Sequence, residues 1–166
     1  NDPQAIALLP GAAEAIRRLN EAGIPVIMVT NQSGIARGLL TEEVLEAIHD
    51  RLLDLLAAQG ALIDAVYYCP HHPEGTVPAF SMECACRKPS PGMLWKAALD
   101  FGLDLTRSYL VGDKTIDVET ITKVGGAGIL IAPDGAVVSG AAYIAASLPD
   151  AVQWILKDMR DRTEHQ

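Results

Sequence analysis

A chain of 166 residues, 49% hydrophobic and 20% charged, has the size and composition of one globular domain with a sizeable core. A formal net charge of -8 with 5% aromatic residues excludes nucleic-acid binding of the ordinary kind, because neutralising a phosphate backbone needs many Lys and Arg and stacking needs rings. No apolar stretch reaches the roughly 18 residues that span a bilayer, and no basic segment followed by an apolar one opens the sequence; the expectation is a soluble, cytoplasmic protein, with a monomer the plainest assembly.

From residue 11 onward, helix-like and strand-like segments alternate, the signature of a parallel sheet covered by helices. Gly11 to Ala22 places Ala12, Ala15, Ile16 and Leu19 at helical spacing, and Gly23 stops it. Pro25 to Thr30 is a continuous apolar run with a polar end, as in a strand buried on both faces. Thr41 reads as an N-cap, with Glu42 and Glu43 at the positive end of a helix expected to run to Ala58. Strands are expected at Asp64 to Tyr68, Ser108 to Val111, Gly128 to Ile131 and Tyr143 to Ala146. Helices are expected at Met93 to Asp100 and Leu148 to Arg160. The segment after Asp117 is rich in β-branched residues, which predicts a short helical turn there. These elements predict an α/β fold: a three-layer, Rossmann-like parallel sheet flanked by helices, forming one domain over residues 1–166.

The long irregular stretch between Cys69 and Pro91 needs a source of order other than a core. It holds all three cysteines of the chain, in Cys69-Pro-His71-His72 and Cys84-Ala-Cys86. Three thiolates and one imidazole make a tetrahedral, closed site of the kind zinc takes as a structural metal. Either His71 or His72 can supply the imidazole on these residues alone, and buried free cysteines are the plainer alternative.

Three motifs at expected strand ends bear on anion chemistry. Thr30-Asn31-Gln32-Ser33-Gly34 sets a hydroxyl and an amide at the carboxyl edge of a parallel sheet, where such sheets bind ligands, and Arg37 follows. Arg87-Lys88-Pro89 is tethered to Cys86, so a metal clip would fix two cations in space. Gly112-Asp113-Lys114 runs on to Asp117, giving two carboxylates after a strand. Asp113 suits magnesium, a hard ion that takes few protein oxygens, while Asp117 either orders the loop or caps the following helix. Standing alone, each motif reads equally as a polar turn or a solvated surface.

Taken in order, Thr30-Asn31, Lys88 and Gly112-Asp113 resemble motifs two, three and four of the haloacid dehalogenase superfamily. The strings VTNQSGIARG, YYCPHHPEG, CACRKPSPGM and VGDK resemble the D-glycero-D-manno-heptose 1,7-bisphosphate phosphatases, and more distantly the histidinol-phosphate phosphatase domain. The resemblance implies a haloacid dehalogenase-like fold with no large cap domain and a zinc-binding loop at residues 69–86. It further implies a magnesium-dependent phosphatase that acts on a small phosphorylated sugar through an aspartyl-phosphate.

Zinc ligands would then be Cys69, His71, Cys84 and Cys86. Thr30 and Asn31 would hold the transferring phosphoryl, Lys88 would stabilise its charge, and Asp113 would bind magnesium. Arg37, Arg87 and Lys114 would contact substrate. The family's nucleophile lies on a strand ending D-x-D, and the sequence holds no D-x-D; the expectation is that this strand lies upstream of Asn1 and that the chain alone does not turn over. A histidinol-phosphate phosphatase and a non-catalytic phospholigand-binding relative are the competing readings.

Overall fold

The computed structural model describes residues 2–132 and 136–164. Helix α1 (Ala12–Glu21) leads to strand β1 (Ile27–Asn31), then to a four-residue helix α2 (Ser33–Ala36) and the long helix α3 (Glu42–Ala57). Strand β2 (Ala65–Cys69) precedes the loop that holds the cysteines. Helix α4 (Gly92–Phe101), strand β3 (Tyr109–Gly112), helix α5 (Thr115–Thr122), strands β4 (Ala127–Ile131) and β5 (Ala141–Ala145), and helix α6 (Leu148–Glu164) follow. The elements expected from sequence form within one to four residues of their predicted ends. Thr41 caps α3 by accepting from the Val44 amide at 3.3 Å. The β-branched segment after Asp117 forms a regular two-turn helix, because Val118 and Ile121 are buried and Thr120 and Thr122 return their hydroxyls to carbonyls one turn earlier.

The strands form two parallel sheets. β1 pairs with β2, Ile27 opposite Ala65 and Asn31 opposite Cys69. β3 pairs with β4, and β4 with β5. All carboxyl ends within each sheet therefore point one way, and the side chain of Lys88, bonded to Val29 of β1 and to Asp117 just after β3, brings the carboxyl ends of the two sheets together.

The two sheets differ in burial. Gly128 to Leu130 of β4, paired on both sides, pack inside the fold. β1 was expected to be buried on both faces, yet every residue from Ile27 to Asn31 is only half-buried. The physical reason is its pairing: among the described residues β1 is bonded along one edge only, to β2, and β3 along one edge only, to β4.

Apolar stripes at helical spacing hold the layers together. Ala13 and Ile16 of α1 meet Leu56 of α3 and Ala61, with Leu148 of α6 against them. Ala151 and Ile155 of α6 pack on Ile129 and Ala145 of the larger sheet, and Trp154 stacks on Tyr143 with 5.2 Å between ring centroids. Each fully buried Leu or Ile stabilises the fold by about 1.5–3 kcal/mol.

Candidate active site and metal clip

Cys69 ends β2, and the chain turns back on itself so that Cys84 and Cys86 meet it. The Sγ atoms lie 3.5 Å (Cys69 to Cys84), 3.1 Å (Cys69 to Cys86) and 3.3 Å (Cys84 to Cys86) apart. His71 presents Nδ1 at 3.3 Å from the Cys86 sulfur and 3.7 Å from that of Cys69. All four donor atoms fall within 4.8 Å of one another. A tetrahedral zinc with sulfur at about 2.3 Å sets edges of about 3.8 Å between sulfurs, so sulfurs 3.1 to 3.5 Å apart would hold the ion after a small outward shift.

The acid chemistry agrees. Burial, then the neighbouring thiols, pushes the Cys86 thiol well above its ordinary range, and burial raises Cys69. Burial also acts to raise Cys84, but hydrogen bonds from the Cys86 thiol and the Arg87 backbone outweigh it and leave Cys84 lowered. Burial thus works against ionisation of the bare cluster, and a divalent cation is what would let the sulfurs ionise together. Geometry brings His71 rather than His72 to the sulfurs: the His72 Nδ1 accepts from the Glu74 amide at 3.1 Å and its Nε2 lies 3.3 Å from Nη2 of Arg37.

The clip is seated on α2. The amides of Thr76 and Val77 both donate to the Ala36 carbonyl, at 2.7 and 2.9 Å. A Cβ at Gly75 would stand 2.7 Å from that same oxygen, so glycine permits the approach. The loop thereby covers the residue that precedes Arg37.

Beyond Cys86, the turn Arg87-Lys88-Pro89 is strapped to the end of β1. The Asn31 carboxamide accepts from the Lys88 amide at 2.9 Å and donates to the Lys88 carbonyl at 3.0 Å. The Lys88 ammonium donates to the Val29 carbonyl of β1 at 3.1 Å and to the Asp117 carboxylate of α5 at 2.5 Å. Their side chains are 12% and 5% exposed, so this is a buried ion pair that joins the carboxyl ends of β1 and β3. Asp117 also accepts from the Lys114 amide at 3.2 Å, holding the first turn of α5. Its carboxylate folds over Gly112, where a Cβ would fall 2.1 Å from Oδ2.

Other predicted groups stand around this strap. The Thr30 hydroxyl accepts from Nε2 of the Gln32 side chain at 3.0 Å and keeps its proton for a ligand. Arg87 donates to the His71 carbonyl at 3.3 Å. Asp113 and Lys114 are exposed at the end of β3. Among the described residues the Asp113 carboxylate has no hydrogen-bond or ion-pair partner, which leaves hard oxygens free at a strand end and fits magnesium. Sequence reasoning missed two things: Asn31 works on the backbone of Lys88, and Asp117 pairs with a lysine 29 residues earlier. The carboxylate spacing from Asp113 to Asp117 was the only signal for the second.

Comparison with known proteins gives the family. A haloacid dehalogenase-like hydrolase family matches residues 2–125. A D-glycero-beta-D-manno-heptose-1,7-bisphosphate 7-phosphatase of Rhodopseudomonas palustris is 49% identical over 117 residues, covering 70% of this chain and 65% of its own. A D-glycero-D-manno-heptose-1,7-bisphosphate 7-phosphatase of Thermosynechococcus vestitus is 43% identical over 170 residues, covering 95% and 87%. The D,D-heptose 1,7-bisphosphate phosphatase of B. bronchiseptica, solved with magnesium and phosphate, superposes with a TM-score of 0.80 at 34% identity, covering 95% and 88%. The match spans less than two thirds of the length of the Rhodopseudomonas relative and of a Yersinia pestis one, 65% and 59%. With its parallel sheets, its cysteine clip and its lysine at the strand ends, the chain belongs to the haloacid dehalogenase-like hydrolases, and the relatives it is similar to over most of its length are heptose bisphosphate phosphatases.

Proposed function

We propose that the protein is a phosphomonoester hydrolase that removes the C7 phosphate of D-glycero-D-manno-heptose 1,7-bisphosphate. The observation that carries this reading is the buried Lys88 ammonium, held between Val29 and Asp117 at the carboxyl ends of β1 and β3. An ammonium fixed there by two acceptors keeps a third proton for an anionic ester oxygen, and fixed charge aimed at a transferring phosphoryl is the main protein contribution to such reactions. The histidinol-phosphate and non-catalytic alternatives are not favoured, because heptose bisphosphate phosphatases are the relatives that resemble the chain over most of its length.

In this reading the Thr30 hydroxyl and the strand-end backbone at Asn31 hold the phosphoryl oxygens, and Asn31 fixes Lys88. Arg37, Arg87 and Lys114 meet the rest of the substrate. Asp113 would hold magnesium, which when bound neutralises phosphoryl charge. Cys69, His71, Cys84 and Cys86 would hold zinc as a structural ion. The attacking carboxylate belongs to a D-x-D strand that the 166 residues do not contain. Among the described residues β1 and β3 each have one edge without a strand partner, which supports a place for that strand between them. Attack transfers the phosphoryl to the first aspartate as the sugar oxygen leaves and takes a proton from the second. Water, giving its proton back to that second carboxylate, then cleaves the acyl phosphate, which releases inorganic phosphate and regenerates the first carboxylate.

The protein is proposed to work as a cytoplasmic monomer in one domain; among the described residues no helix is long and apolar enough to cross a membrane. The test is phosphate release from the full-length gene product with heptose 1,7-bisphosphate and magnesium. Release that Lys88→Met abolishes supports the reading. No release from a product confirmed to carry the D-x-D aspartates rejects it.

A further inference from the structure

The turn that carries Lys88 has a second fastening to α5, beyond the ion pair with Asp117. Its backbone polar groups can be followed one by one. The Arg87 carbonyl accepts from the Ser90 amide at 2.8 Å, which closes the turn. The Lys88 amide and carbonyl are both taken by the Asn31 carboxamide. Pro89 has no N–H, and its carbonyl accepts from the Lys123 ammonium at 2.8 Å. From the Arg87 carbonyl to the Pro89 carbonyl every backbone group is thus paired, as a segment held in one conformation needs. The sense of the last bond is fixed by chemistry, since an ammonium only donates and a carbonyl only accepts.

Lys123 is the residue at the carboxyl end of α5, and Asp117 lies in the first turn of the same helix. At 1.5 Å per residue the two stand about 9 Å apart along its axis. Helix α5 therefore grips the turn twice: Asp117 takes the Lys88 ammonium, and Lys123 takes the carbonyl one residue on. Asn31 ties the turn to β1 at Lys88 alone, and a segment tied at one residue can tilt about it. The bond from Lys123 removes that freedom. It also fixes the turn to the helix that follows directly on Asp113 and Lys114.

We infer that Lys123 is a positioning residue: by holding the Pro89 carbonyl to α5 it sets the angle of the turn, and so the place of the Lys88 ammonium relative to Asp113 and Asp117. It acts through Lys88 and not on the substrate. The inference rests on the phosphatase reading for the reaction that Lys88 serves, whereas the tie is a property of the fold and can be read without turnover. An ammonium that meets the charge of a transferring phosphoryl works chiefly in the transition state, so its displacement lowers kcat more than it raises KM.

Two measurements on the full-length gene product test this: steady-state kinetics with heptose 1,7-bisphosphate and magnesium, and hydrogen exchange over residues 85–92 read by mass spectrometry. Lys123→Met is expected to lower kcat roughly three- to tenfold, the contribution of one hydrogen bond, with KM within about twofold of wild type. Exchange across the turn should quicken. Lys123→Arg, which keeps a cationic donor, should retain most of kcat and the slower exchange. Lys157→Met removes the same charge from an exposed position of α6 and should change neither. A kcat for Lys123→Met within about 1.5-fold of wild type, or a fall with exchange over 85–92 unchanged, overturns the inference and leaves the phosphatase reading standing. So does an effect confined to KM that added salt removes, because it assigns the lysine to attracting the anion. Wild type that releases no phosphate overturns the phosphatase reading and the positioning role with it, whatever the exchange shows.

Discussion

Replacing Asp117 by Asn keeps the shape that caps α5 and removes the charge that faces Lys88. The pair is 12% and 5% exposed, so water cannot screen the ammonium once its partner is neutral. One carbonyl, that of Val29 at 3.1 Å, remains as its fixed acceptor besides the new amide oxygen. Breaking a buried ion pair from one side costs about 3–5 kcal/mol, most of it the cost of an uncompensated charge. In a domain of this size each kcal/mol moves the melting temperature by about 2–4 °C, so Tm should fall by roughly 6–20 °C. The double replacement Lys88→Met with Asp117→Leu removes both charges and should recover most of that loss, since apolar pairs of similar volume are often as stable as the ion pair they replace. Thermal unfolding followed by circular dichroism, on wild type, Lys88→Met, Asp117→Leu and the double variant, reads the coupling directly, with Asp117→Asn measured beside them. A Tm for Asp117→Asn within about 2 °C of wild type, or a double variant worse than either single one, would show that the pair is solvated and that the strap does not rest on charge.

Three further outcomes follow from the same geometry. Gly112→Ala puts a Cβ 2.1 Å from the Asp117 carboxylate and must push it from Lys88; a loss of about 1–3 kcal/mol is expected in urea unfolding, and an unchanged midpoint would contradict the close approach. Cys84→Ser should weaken zinc by more than about a hundredfold, read by competition with a chromogenic chelator, because the loss of a ligand exceeds the effect of losing an outer contact; zinc retained at near one per chain would remove Cys84 from the clip. Burial holds the His49 imidazole below its ordinary value of 6.5, against the opposing charge of Asp50. The unfolded chain thus takes up the proton first as pH falls, so this contribution to stability is complete above 6.5 and is lost on acidification below it. The denaturation midpoint of His49→Gln should therefore fall less than that of wild type between pH 7 and 5; parallel falls would exclude His49 as the group responsible.

How far the sequence carried depends on the range of the interaction. Helix α3 was legible because its cap, Thr41 bonding Val44, lies within one turn, and β4 because its Gly128-Ile129-Leu130 run is packed inside the fold. Helix α2 was not, since Ser33–Ala36 is a single turn opening on Ser-Gly, too short for a period to show. The half-burial of β1 was not legible either: an apolar run states what a strand can bury, and its pairing decides what it does bury. The cysteines announced a metal set by residue type, but the split between His71 and His72 needed the turn in which Glu74 bonds the His72 ring. Asn31 was read as facing a ligand. Its carboxamide is spent on a backbone 57 residues away, a partner no local pattern names.

That long-range strap explains why one loop does two jobs. Cys86 is a corner of the clip, and Lys88 is two residues beyond it, so the ammonium is misplaced if the clip moves or if Asn31 lets go of the backbone. Each restraint acts from a different side: the clip through the chain, Asn31 from β1, Asp117 from α5, with Gly112 leaving room for the last. A lysine has four rotatable bonds and about 2 kcal/mol of rotamer entropy to lose when it is fixed. Fixing it through folding, before any anion arrives, means that a phosphoryl group bound at this rim does not bear that cost. Local placement also answers the overall charge of -8, because at physiological salt fields fade over about 8 Å. An anion within reach of Lys88 is governed by that ammonium and its partner Asp117 more than by the distant acids of the surface.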